Sequence, residues 1–95
     1  MGNDPEARGY ALAEDVMVEK LGDATIVVNL ATDEVHELNE TAARLLELLR
    51  EGKTAAEAAE ALARAYDAEL ATVQEDVART IEVFLAEKVL VPRPA

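Results

Sequence analysis

The chain has 95 residues, a net charge of −11 and a hydrophobic share of 51%, enough for one domain but too little to enclose a deep active site. It contains no cysteine, tryptophan or serine and a single histidine, His36, which excludes disulfides, serine and cysteine nucleophiles and the familiar two- or three-histidine metal sites. The excess of acid opposes nucleic acid and anionic membranes, whose affinity for proteins comes from lysine and arginine displacing counterions, and it favours a basic peptide.

Residues Met1 to Ala13 carry Asn, Asp, Pro and Gly without a clean period, so residues 1–13 are expected to form a flexible tail. They lack the apolar stretch of a signal peptide, and no apolar run approaches the roughly 20 residues of a membrane span, so a soluble, cytoplasmic protein is expected. From Glu14 onward Val16 and Val18 alternate with Met17 and Glu19 up to Leu21. Gly22-Asp23 marks a turn, and Ile26-Val27-Val28-Asn29-Leu30 completes a β-hairpin. A second turn at Ala31-Thr32-Asp33 leads into Glu34-Val35-His36-Glu37-Leu38, a third antiparallel strand.

Asn39 changes the regime. It is a favoured helix cap, and Ala42, Leu45, Leu46 and Leu49 recur at helical spacing until Gly52 supplies a stop. Leu48 lies beside that stripe and either broadens the buried face or serves a partner. Thr54-Ala55-Ala56-Glu57 is a capping box opening a second helix with Ala55, Ala59, Leu62 and Tyr66 on one stripe. Thr72-Val73-Gln74-Glu75 repeats the pattern and predicts a third helix from Thr72 to about Lys88, its apolar stripe made by Val73, Val77, Ile81, Phe84 and Leu85. Val89-Leu90-Val91 is either a terminal strand or an apolar plug before a tail at 92–95, where Pro92 and Pro94 end regular structure. The fold class expected is α+β, a winged helix-turn-helix-like arrangement of a three-stranded antiparallel sheet followed by three helices, with the domain at 14–91.

Val27-Val28-Asn29-Leu30, the run Glu34 to Ala42 with Leu38-Asn39-Glu40-Thr41-Ala42 at its end, and Thr54-Ala55-Ala56-Glu57 with Ala65-Tyr66-Asp67 together resemble the PqqD-like family. These are precursor-peptide recognition elements in the biosynthesis of ribosomally made, modified peptides, and the resemblance runs over residues 14–91. Family members often carry a glycine before the final apolar pair, where this chain has Lys88. The resemblance implies a leader peptide bound as an added β-strand against the third strand, Glu34, Val35, His36, Glu37 and Leu38, and the face of the third helix. It also implies a partner that is a modifying enzyme or leader protease; radical-SAM protein, cyclase and protease stay open. No cofactor is expected.

On that helix Val83 falls off the core stripe beside Asp76, Thr80 and Glu87. Either Val83 and Thr80 wall a peptide groove, with Asp76 and Glu87 drawing basic leader residues and Phe84 counted among the peptide contacts, or Val83 is one of the many singly exposed valines of soluble proteins. A lone strand histidine such as His36 is ordinarily a half-buried spacer. The adjacent acids Glu14-Asp15, Asp33-Glu34 and Glu75-Asp76 point to different faces and make no acid/base couple. An acidic winged-helix transcriptional regulator or interaction module is the alternative, with third-helix Glu75, Asp76, Glu82 and Glu87 opposing it against Arg79 and Lys88. An unfilled sheet edge also leaves a homodimer open.

Overall fold

Leu21 and Ala24 pair across Gly22-Asp23 in the computed structural model, which describes residues 9–93. Gly22 carries a φ of +65°, a conformation that side chains resist and that the first position of a II′ hairpin turn requires. This turn joins β2 (Val16–Leu21) to β3 (Ala24–Asn29), and a four-residue connection leads to β4 (Glu34–Leu38). The strands form an antiparallel sheet of order β2-β3-β4, followed by α1 (Glu40–Arg50), α2 (Ala55–Ala65) and α3 (Leu70–Ala86). This is the expected α+β order.

The two ends of the fold correct the expectation. Tyr10–Leu12 form a strand, β1, that pairs antiparallel with β5 (Leu90–Pro92) in a separate two-stranded ribbon. Two further backbone bonds, Ala13 N–H to Val89 O and Arg93 N–H to Gly9 O, flank the ribbon. Tyr10 is buried in the core, so the fold begins before Glu14, and Pro92 belongs to a strand rather than to the tail. A three-residue strand is too short to show period-two alternation, and its partner lies at the opposite end of the chain. Residues 1–8 of the expected tail, and Pro94 and Ala95, lie outside the described residues.

The first two helices start where a side chain caps them. Asn39 Oδ1 accepts from Ala42 N–H at 2.8 Å, and Thr54 and Glu57 make the reciprocal capping box. The Thr72 box does not form. The third helix starts two residues earlier, at Leu70, with Glu69 as an N-cap that makes no side-chain cap bond; Thr72 instead donates to the Glu69 carboxylate at 3.4 Å. At their C-termini all three helices turn left-handed, through Gly52 (φ +100°), Asp67 (φ +50°) and Lys88 (φ +61°). After α1 and α3 the following amides return to the last carbonyls in paired bonds, Gly52 to Leu49 and Lys53 to Leu48, then Lys88 to Leu85 and Val89 to Phe84. Lys88 thus stands where a glycine is conformationally cheapest, so the departure noted above carries a backbone cost.

The core lies between the inner face of the sheet and the helices. Leu45, Leu46, Leu48 and Leu49 of α1 meet Ala58, Ala59 and Leu62 of α2, Val77, Ile81 and Phe84 of α3, and Val27, Val89 and Leu90. Each large aliphatic side chain here removes about 2 kcal/mol worth of apolar surface from water. Leu48 therefore broadens the buried face of α1. Tyr66 leaves the α2 stripe: it is the C-cap residue and is exposed.

Candidate functional site

β4 has β3 on one side, and no strand among the described residues pairs with its other side. That edge is five residues of open backbone donors and acceptors. The pairing Val27–His36, with Val27 fully buried, puts Glu34, His36 and Leu38 on the sheet face that looks toward the helices. Val35 and Glu37 fall on the opposite face, where Val35, 63% exposed, lies in a cross-strand row with Met17 and Val28. The structure thus divides the five expected strand residues: three side chains look toward the helices, and two are turned away.

The outward face of α3 carries Asp76, Thr80, Val83 and Glu87 at helical spacing. Val83 is 51% exposed, Thr80 and Glu87 are half-buried, and Asp76 is exposed. Phe84 is different. At 5% exposure it packs in the core with Val77 and Ile81, the stripe its spacing predicts, and offers little surface to a ligand. Asp76 is already paired with Arg79 at 3.2 Å, and its carbonyl accepts from the Thr80 hydroxyl at 2.8 Å. Asp76 and Glu87 are thus the two acids of this helix face, each with a basic side chain nearby.

Asn29 fixes the spacing of β4 and α3, a role the sequence reading did not assign. Its side chain is buried, at 2% exposure. Oδ1 accepts from the amides of Ala31 and Thr32 at 3.0 and 3.3 Å, shaping the turn into β4, while Nδ2 donates to the carbonyls of Glu87 and Lys88 at 3.3 and 3.5 Å. One amide thus ties the start of β4 to the end of α3. The available signal was an asparagine at the end of a strand, just before a turn. Across the same gap His36 Nε2 stands 3.5 Å from Glu87 Oε2.

Beside the other end of β4, a concave pocket of about 410 Å³ opens between the start of α1 and the first turns of α3, lined by Asn39, Ala42, Leu45, Tyr66, Val73 and Thr80 among others. The Tyr66 hydroxyl donates to Glu40 Oε2 at 3.1 Å. Its pKa lies above the usual phenol value, first through loss of solvent and then through the Glu40 hydrogen bond and negative charge. No helix of the described residues is long and apolar enough to cross a membrane.

The family model for coenzyme PQQ synthesis protein D (PqqD) matches residues 24–90, which contain β3, β4 and all three helices. Among solved structures the fold is similar to "TbiB1 in Complex with the TbiA(beta) Leader Peptide", with a TM-score of 0.81 and 21% identity over 90% of this chain and 99% of that one. It is equally similar to "Lasso peptide synthetase B1 complexed with the leader peptide", with a TM-score of 0.82 and 22% identity over 87% and 98% of the two chains. A search of the curated proteins returns no match.

Proposed function

This chain belongs to the PqqD family, and from that premise we propose that it binds the leader segment of a ribosomally made precursor peptide as an added β-strand and presents it to a modifying enzyme or leader protease. The observation that carries the reading is the open β4 edge lying beside an uncovered helix face with Thr80 and Val83 on it. Support comes from the two solved structures of the same fold, each of which holds a leader peptide.

An extended peptide on this edge gains main-chain hydrogen bonds from β4, and its alternate side chains fall toward α3 or toward solvent. About half of the ten backbone groups of a five-residue edge point outward, and five bonds at roughly 1 kcal/mol net give about 5 kcal/mol. Two anchors, one over Val83 and one in the pocket beside Tyr66, add roughly 2 kcal/mol each. Association costs at least about 4 kcal/mol of this, leaving weak to micromolar affinity unless charge contributes. Charge favours a basic peptide: the chain carries −11, and Glu34 and Glu87 flank the cleft. We read the domain as a binding partner rather than a catalyst, since the chain offers neither serine nor cysteine as nucleophile.

Fluorescently labelled candidate leaders, taken from the reading frames beside the gene, test this by titration alongside a random DNA duplex. Saturable peptide binding at micromolar concentration or tighter, weakened at least tenfold by Val83→Asp, is the expected outcome. Val83 is half in solvent, so that substitution should leave stability within about 0.5 kcal/mol. Binding to duplex without binding to any peptide would overturn the reading and favour the acidic winged-helix regulator.

A further inference from the structure

Glu34, His36 and Glu87 are separated in the chain but converge at the floor of the cleft. Glu34 and His36 share the helix-facing side of β4, and Glu87 is the C-cap of α3. One ligand-competent atom of each lies within 4.8 Å of the other two. His36 Nε2 is closed off from solvent and has no hydrogen-bond partner, although the imidazole as a whole is 37% exposed and Glu87 Oε2 lies 3.5 Å away. At 3.5 Å the pair is within reach of a charge interaction but too long for a good hydrogen bond. The separation fits a different arrangement. Two ligands on one tetrahedral ion, each about 2.1 Å from it, stand about 3.4 Å apart.

One of the three ligating groups, the Glu34 carboxylate, is itself hydrogen-bonded, and the backbone that carries a second, Glu87, is anchored. Thr32 Oγ1 donates to Glu34 Oε1 at 3.1 Å, and Asn29 Nδ2 holds the Glu87 backbone carbonyl at 3.3 Å. Outer partners of this kind orient metal ligands and raise affinity. One imidazole and two carboxylates suit a borderline ion such as zinc, whereas calcium takes six or more oxygens and magnesium strict octahedral geometry.

We propose that Glu34, His36 and Glu87 form a three-ligand site for a zinc-class divalent cation, with the fourth position open to water, that cross-links β4 to α3. The ion bridges two elements joined in this region chiefly through Asn29, so its binding fixes the distance between the strand edge and the helix. The site needs no peptide, and its test is independent of the peptide reading.

The full chain, stripped of metal with a chelator, is titrated with Co²⁺ and followed by visible absorption, then with Zn²⁺ by calorimetry. Expected are one saturable site per chain, the intense visible bands of tetrahedral cobalt, and their loss on adding Zn²⁺. His36→Gln and Glu87→Gln should each weaken Zn²⁺ binding by more than the roughly 10- to 100-fold that loss of an outer partner costs. Glu82→Gln, on an exposed acid of the same helix outside the cluster, should leave it unchanged. Zinc should also raise the melting temperature of the wild type, increasingly with concentration, and not that of His36→Gln. Binding that fails to saturate, or that is equal in wild type and His36→Gln, overturns the proposal.

Discussion

Replacing Asn29 should separate the two halves of the cleft. In Asn29→Ala the carbonyls of Glu87 and Lys88 lose their amide donor, and the amides of Ala31 and Thr32 lose their acceptor. The turn residues are exposed, so water can replace the acceptor at little cost. The helix-end bonds are partly buried, and losing them at roughly 1 kcal/mol apiece, with a further penalty for stranded carbonyls, brings the total to about 2–3 kcal/mol. For a domain of this size that lowers Tm by roughly 10–20 °C. Asn29→Asp separates the two halves of the interaction, because it keeps both acceptor bonds while placing a buried carboxylate against two carbonyl oxygens. It should be less stable than Asn29→Ala at neutral pH and recover as pH falls and the carboxyl protonates. Urea denaturation of the three proteins at pH 7 and pH 5 measures both effects. An Asn29→Asp protein as stable as wild type at pH 7 would show that Nδ2 clamps nothing, and the account of how β4 is positioned would be wrong.

Tyr10→Ala should cost about 3 kcal/mol, since it empties a buried site in β1, and a chain beginning at Glu14 should be destabilised further; thermal melts of both check whether the first strand belongs to the cooperative fold. Lys88→Gly relieves a left-handed residue at the end of α3 and should raise the urea midpoint by an amount equivalent to about 0.5–1 kcal/mol, net of glycine's greater unfolded-state entropy. Tyr66 has a pKa above its unfolded value, so its contribution is present below pH about 10 and is lost as pH rises through the folded pKa. The stability gap between wild type and Tyr66→Phe, followed by chemical denaturation from pH 8 to 11.5, should therefore shrink toward the alkaline end; a constant gap would refute the assignment.

The order of elements from β2 to α3, the Asn39 and Thr54 caps, the Gly22 turn and the core stripes of α1 and α3 are all properties of neighbouring residues, and the sequence by itself determined them. A cap bonds three residues ahead and a stripe repeats within two turns, so no distant partner is needed to recognise either. Val83 lies off the core stripe by the same local spacing, whereas the choice of β4 as the open edge came from the resemblance to the PqqD-like family. The tertiary structure alone decided the pairing of β1 with β5, the earlier start of α3 and which face of β4 looks toward the helices. It alone decided, too, that Asn29 reaches the end of α3 and that His36 meets Glu87. Each of these depends on which distant segment comes to lie alongside, and that is set by the packing of the whole core rather than by the propensity of any short stretch.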